Sequence, residues 1–131
     1  MINILRTKEI KKQIGENPND VMKIINRIDD IGICITNSNG NYVTVNQKYC
    51  DIYGYTKGEF IGKSFTIVVP PEQREKLQNM HDKFIENEYE ILRNWEVMRK
   101  DGKRIKISAD AGFFNTIFNK TPHKVTFISD S

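Results

Sequence analysis

A chain of 131 residues, 38% hydrophobic and 10% aromatic, has the material for one domain around one core. Its charged share of 28% carries a net charge of only +3, which excludes the concentrated basic stripe of a dedicated nucleic-acid binder. No apolar run approaches the roughly 20 residues of a membrane span, and MINILRTKEIKKQIGENP at the N-terminus is unlike a signal peptide. A cytoplasmic domain without membrane contact is the expectation.

Residues 1–17 are charged, with scattered Ile and Leu, and read as a frayed helix or a linker. Lys8, Lys11 and Lys12, balanced by Glu9 and Glu16, form a solvated face. Asn17-Pro18 marks a helix start, because Pro is favoured at the first helical position. Val21, Met22, Ile24, Ile25 and Ile28 then fall mostly on one stripe. Such a stripe must be covered, either by the domain's own sheet or by a second copy of the same helix.

IGICITNSNGNYVTVN is a hairpin signal. Ile31, Ile33 and Ile35 alternate with smaller residues, and Asn39-Gly40 supplies a turn tolerant of positive φ. Cys34 and Cys50 lack CxxC or zinc spacing and read as buried free thiols, in keeping with a reducing compartment. Asn46 caps a short helix, QKYCDIYGY, which Gly54 ends. Thr56 and Glu59 have capping-box spacing for another helix, and KSFTIVV is an apolar connector of undecided state.

Pro70-Pro71 opens a longer helix with Leu77, Met80, His81, Phe84 and Ile85 on one apolar face. A long hairpin follows around Asp101-Gly102. Tyr89, Ile91, Trp95 and Val97 share one parity on its first strand. Ile105, Ile107, Ala109, Ala111 and Phe113 share one on the second, leaving Ser108 and Asp110 to face out. NTIFNKTPH is a loop with His123 exposed, and KVTFIS is a last strand. Two strands, a helical crossover and three further strands predict an α+β fold: a five-stranded antiparallel sheet with helices on one face and an N-terminal flanking helix.

In this order the blocks resemble a PAS domain, the sensory module of bacterial kinases, cyclases and regulators. GICITNSNGNYVTVN is similar to the family's first hairpin, YCDIYGYTKGEFIGKS to its two short helices, and PPEQREKL to the start of its long helix. VMRKDGKRIKISA is similar to its Lys-Asp-Gly hairpin, and VTFISD to its last strand, with Asp130 at the exit motif. The resemblance divides the chain into an extension, residues 1–24, and a PAS domain, residues 25–131. It implies a sensory role through a helix-lined pocket, output through terminal helices, a homodimer, and an effector such as a histidine kinase or cyclase in a parent chain; the alternative is a ligand-free protein-interaction module with a filled core. The dimer or signal helix would use Val21, Ile24, Ile25 and Ile28.

For the pocket, the expected residues are Ile33, Asn46 and Tyr55 from the first half and Leu77, His81 and Phe84 from the long helix. Phe65 and Trp95 add aromatic walls, and Ile107 and Ala109 add the inner parity of the second long strand. The light-sensing branch of the family needs a reactive Cys where this chain has Phe65, so covalent flavin photochemistry is not expected. The haem branch uses a His on the long helix, which makes His81 an alternative iron ligand, although that branch's position falls on Leu77. The plainer reading is a core histidine bonded to Tyr89 or to a backbone carbonyl. No metal site and no catalysis are expected: Asp82 and His81 project about 100° apart on a helix, and Asp29, Asp30 and Asp101 stand where turns favour Asp.

Overall fold

The computed structural model describes residues 2–87 and 91–130, the side chains of 91–93 excepted. Helix α1 (Ile4–Glu16) is capped by Asn3, whose side chain accepts from the Arg6 amide. A 3-10 turn at Pro18–Asp20 leads into α2 (Val21–Asn26). Strands β1 (Gly32–Asn37) and β2 (Tyr42–Val45) form the first hairpin. Two short helices follow, α3 (Gln47–Tyr53) and α4 (Lys57–Phe60). The undecided connector forms a 3-10 turn at Phe65–Val68, capped by Ser64. The long helix α5 (Arg74–Asn87) leads to β3 (Ile91–Met98), β4 (Arg104–Phe114) and β5 (His123–Asp130). The five strands lie in the order β2-β1-β5-β4-β3, each antiparallel to its neighbours.

Local signals explain most element ends. Thr56 and Glu59 form both halves of a capping box at α4, and Gly54 ends α3 at φ 83°. The first hairpin departs from a tight two-residue turn. Only Gly40 takes positive φ there, at 84°, and its amide donates to the Asn37 carbonyl over 2.9 Å. The Asn37 side chain also accepts from the amides of Asn39 and Asn41. Asn37 therefore organises the turn, and β2 carries one extra residue, Val43, opposite the step from Ile35 to Thr36.

Around β1 and β5 the sheet is buried on both faces, while Asn94, Glu96, Arg104 and Lys106 of β3 and β4 are exposed. Towards α3 and α4 it packs an aromatic knot. Phe60 stands edge-on to Tyr42 and Tyr49 at 4.9 and 5.1 Å, and the Tyr42 and Tyr49 hydroxyls are hydrogen-bonded at 2.7 Å. On the opposite face, Ile10 and Ile14 of α1 and Ile25 of α2 cover Ile33, Ile35, Val125 and Phe127.

The N-terminal segment thus corrects the expectation of a frayed helix or linker. Thr7, Ile10 and Ile14, at i, i+3 and i+7, make a stripe that the charges around it conceal. The expected boundary at residues 24 and 25 falls inside α2. Val21, Ile25 and Ile28 are buried and Ile24 is half-buried, all against the chain's own sheet. The stripe is a lid rather than a free seam. The loop before β5 also folds inward: Ile117 is buried with the outer-face cluster, and Phe118 packs against His123. His123 is therefore buried, not exposed, and its Nδ1 sits 2.7 Å from the Thr121 carbonyl.

Candidate functional site

Between the inner face of the sheet, the 3-10 turn and α5 lies a cavity of about 60 Å³. At one water-sized group per roughly 10–15 Å³, that is room for about four to six such groups. Leu77, Met80 and His81 project from α5, with Phe65, Val68 and Val69 beside them. Tyr49 and Tyr53 of α3 and Trp95 and Val97 of β3 line it as well. The floor comes from Cys34 and Thr36 of β1, Ile107 of β4, and Lys124, Thr126 and Ile128 of β5.

Phe65, Leu77, His81, Trp95 and Ile107 are thus brought together as the sequence pattern groups them. The other expected pocket residues are placed elsewhere. Ile33 points to the opposite face, under α1 and α2. A sheet covered on both sides carries large apolar residues on both parities, so their alternation does not identify the cavity face. Asn46 is fully buried within a backbone junction away from the cavity. Tyr55 packs on Phe60 at 5.2 Å, near the Lys100 ammonium. Phe84 sits against Ala111 and Phe113, beyond the cavity, and Ala109 lies in the core behind its wall. Tyr89 lies outside the described residues.

Ser108 and Asp110 do face out, but onto α1 rather than into solvent. Ser108 Oγ accepts from the Ile2 amide at 3.0 Å. Asp110 Oδ2 accepts from Thr7 Oγ1 at 2.7 Å and faces Lys11 Nζ at 3.0 Å.

His81 is buried, with Nε2 3.1 Å from the Asn37 carbonyl and its ring 5.4 Å from that of Phe65. Burial first, and the charge of Lys124 second, push its pKa below the ordinary value. It is a neutral ring fixed by a backbone carbonyl. Its nitrogen is committed and the cavity holds only a handful of groups, so the residues present do not fit a haem. Phe65 lines the cavity beside the His81 ring. The one thiol on the cavity wall, Cys34, is pushed up to about 11 by burial, which makes it unreactive. Among the described residues, no group of three His, Cys, Asp or Glu could hold a metal ion.

Among the described residues, the other eleven that line the cavity are not among the expected pocket residues, and Cys34, Thr36, Lys124 and Thr126 are the polar or titratable ones on the sheet. A signal for three of them exists in VTFIS and its preceding lysine. Lys124, Thr126 and Ile128 share a parity, opposite the larger pair Val125 and Phe127, so one face of this strand is polar although the whole strand is covered. Lys124 is the unusual member. The residue keeps some solvent exposure as a whole, yet its ammonium lies 4.9 Å over the Phe84 ring, and desolvation lowers its pKa to about 8.

This shift has a testable consequence. An unfolded chain holds the Lys124 proton up to about pH 10.5, whereas the folded chain releases it from about pH 8. Between these values the unfolded state binds more protons, so this residue's contribution to stability rises with pH. Below pH 8 both states are charged and the folded state carries the whole penalty. Lys124→Met should therefore be more stable than the parent near pH 7, by on the order of 1–3 kcal/mol. The gap should close towards pH 10.5. Urea melts of both proteins across that range measure it, and a gap independent of pH would contradict it.

Residues 30–128 match the family model described as PAS domain. Solved structures share the fold. A PAS domain from Colwellia psychrerythraea is 18% identical with a TM-score of 0.73, over 87% of this chain and 96% of that one. A domain of a sensory box sensor histidine kinase/response regulator from Geobacter sulfurreducens is 16% identical with a TM-score of 0.71, over 89% and 96%. The PAS domain of an HTR-like protein from Haloarcula marismortui is 19% identical with a TM-score of 0.70, over 95% and 99%. At these identities the likeness is one of fold. No curated protein matches the chain.

Proposed function

The chain belongs to the PAS domain family, and from that premise we propose that it is a sensory module. A small molecule enters the inner cavity, and the signal leaves through α1 and α2. The observation that carries this reading is the double use of β4 and β5. On β4, Ile107 faces the cavity, while its neighbours Ser108 and Asp110 hold α1. On β5, Lys124, Thr126 and Ile128 face the cavity, and Val125 and Phe127 lie under α1 and α2. A ligand that shifts these strands alters the seat of the helices on the other side. Only such a difference in interaction between two arrangements can bias one over the other.

The effector belongs to a longer parent protein in this reading, as with the Geobacter domain, which comes from a sensor histidine kinase/response regulator. Catalysis is no part of the proposal. The apolar stripe of α2 is used within the chain, so a homodimer would have to form through other groups, of which Leu5 is the most exposed apolar side chain of α1.

An NMR screen of the ¹⁵N-labelled chain with small alcohols, amides and carboxylates tests the proposal. A binding solute should shift amides of Thr36, His81, Lys124 and Thr126 first and those of α1 in parallel. Shifts confined to surface loops, with every solute class tried, would remove the cavity from consideration.

A further inference from the structure

Lys124 is hard to explain as a structural residue. A lysine ammonium on a mostly apolar wall costs stability unless something offsets its lost hydration. Among the described residues no acidic side chain pairs with it, and its nearest compensation is the face of Phe84, 4.9 Å away. The ionisable groups that share its cavity are His81, Cys34, Tyr49 and Tyr53. None is a carboxylate, and the neutral forms of all four are favoured by burial. Among the described residues the cavity therefore presents one positive charge and no negative one. A fold has no reason to keep such a charge desolvated for packing alone, since Met would fill the same space.

We infer that the cavity binds a small carboxylate of about two to four carbons, with the Lys124 ammonium as its counter-ion and the Thr36 and Thr126 hydroxyls beside it. The chemistry of the walls narrows the class. A phosphate or sulfate dianion needs several converging donors, typically including a forked guanidinium, and among the described residues no arginine lines this cavity. One ammonium suits one carboxylate. Val68, Leu77, Met80 and Ile128 suit a short alkyl tail. The cavity volume sets the upper size. This inference rests on the reading of the cavity as a ligand site and adds the charge and size of what it takes.

The test compares sodium propionate with propionamide, its neutral isostere, by NMR titration of the intact chain at pH 7. Propionate should saturate shifts at Lys124, Thr126 and Thr36 and bind at least tenfold more tightly than propionamide. Lys124→Met should remove the preference while melting no lower than the parent. If that variant fails to fold, the comparison of the two solutes in the parent still decides the matter. Equal binding of propionate and propionamide would leave a ligand cavity but overturn its anionic character. Sodium phosphate competing equally with propionate would overturn the carboxylate class. Failure of every solute, charged or neutral, to perturb the inner face would overturn both this inference and the sensory reading beneath it.

Discussion

Asn46→Ala is expected to lower the free energy of unfolding by about 3–5 kcal/mol, among the largest losses of any single substitution in this chain. The side chain is fully buried. Its Oδ1 accepts from the amides of Ile33 and Tyr49, at 2.9 and 3.1 Å. Its Nδ2 donates towards the carbonyls of Ile25, Ile28 and Ile31, at 3.3, 3.0 and 3.0 Å. Two hydrogens serve three acceptors, so one is shared. A single amide thus joins the end of α2, the segment after it, the start of β1 and the first turn of α3. Alanine leaves buried backbone groups without partners and also opens a void. At about 3–5 °C per kcal/mol for a chain of this size, the melting temperature should fall by roughly 10–20 °C. Asn46→Asp keeps the acceptor but loses the donors and buries a charge, so it should do no better. Calorimetry of the two variants checks this, and a loss under about 1 kcal/mol for alanine would show that the junction is held by other groups.

The second large effect belongs to Asp110→Ala, expected to cost about 2–4 kcal/mol. The Asp110–Lys11 pair is nearly closed to solvent, with side chains 7% and 10% exposed. Removing the carboxylate leaves the Thr7 hydroxyl only the Ile4 carbonyl as acceptor and deprives a buried ammonium of the Asp110 charge. The damage should be local. Amide exchange within α1 should accelerate by at least tenfold before the sheet is affected, because Asp110 holds the helix rather than the strands. Replacing both partners, Lys11→Met with Asp110→Leu, should recover most of the loss, since two apolar groups need no compensation. Unchanged protection of α1 in Asp110→Ala would mean that Ile10 and Ile14 alone fix the helix.

What the sequence revealed and what it hid follow from the range of the interactions. The Asn46 cap, the Thr56–Glu59 box and the Asp101-Gly102 hairpin are local, and their residues stand within a few positions of what they organise. Asn46 was legible as a cap, but its reach back to Ile25, Ile28 and Ile31 was not, because those bonds depend on where α2 lies. The packing of α1 was hidden for a similar reason. Three buried residues among thirteen give a thin stripe, and the polar groups that fix it, Ser108 and Asp110, are about a hundred residues away. The alternation of Ile31, Ile33 and Ile35 points Ile33 to the cavity only where a strand has one covered face and places its largest residues there. With both faces covered, the large residues went under α1, and the smaller Cys34 and Thr36 went to the cavity. Lys124 was missed because a lysine next to a turn reads as solvated. Only the register that sets Lys124 opposite Phe113 and Thr36 turns it inward.

The central claim is that filling the cavity is felt by α1 on the other side of the sheet. Hydrogen exchange across residues 4–16 measures this most directly, with the cavity empty and then saturated by whichever solute shifts the inner-face amides. The account predicts a change in protection of α1 amides of at least severalfold, larger than that of the α3 amides, and abolished in Asp110→Ala. Inner-face amides that shift on binding while α1 protection stays the same in both states would contradict it.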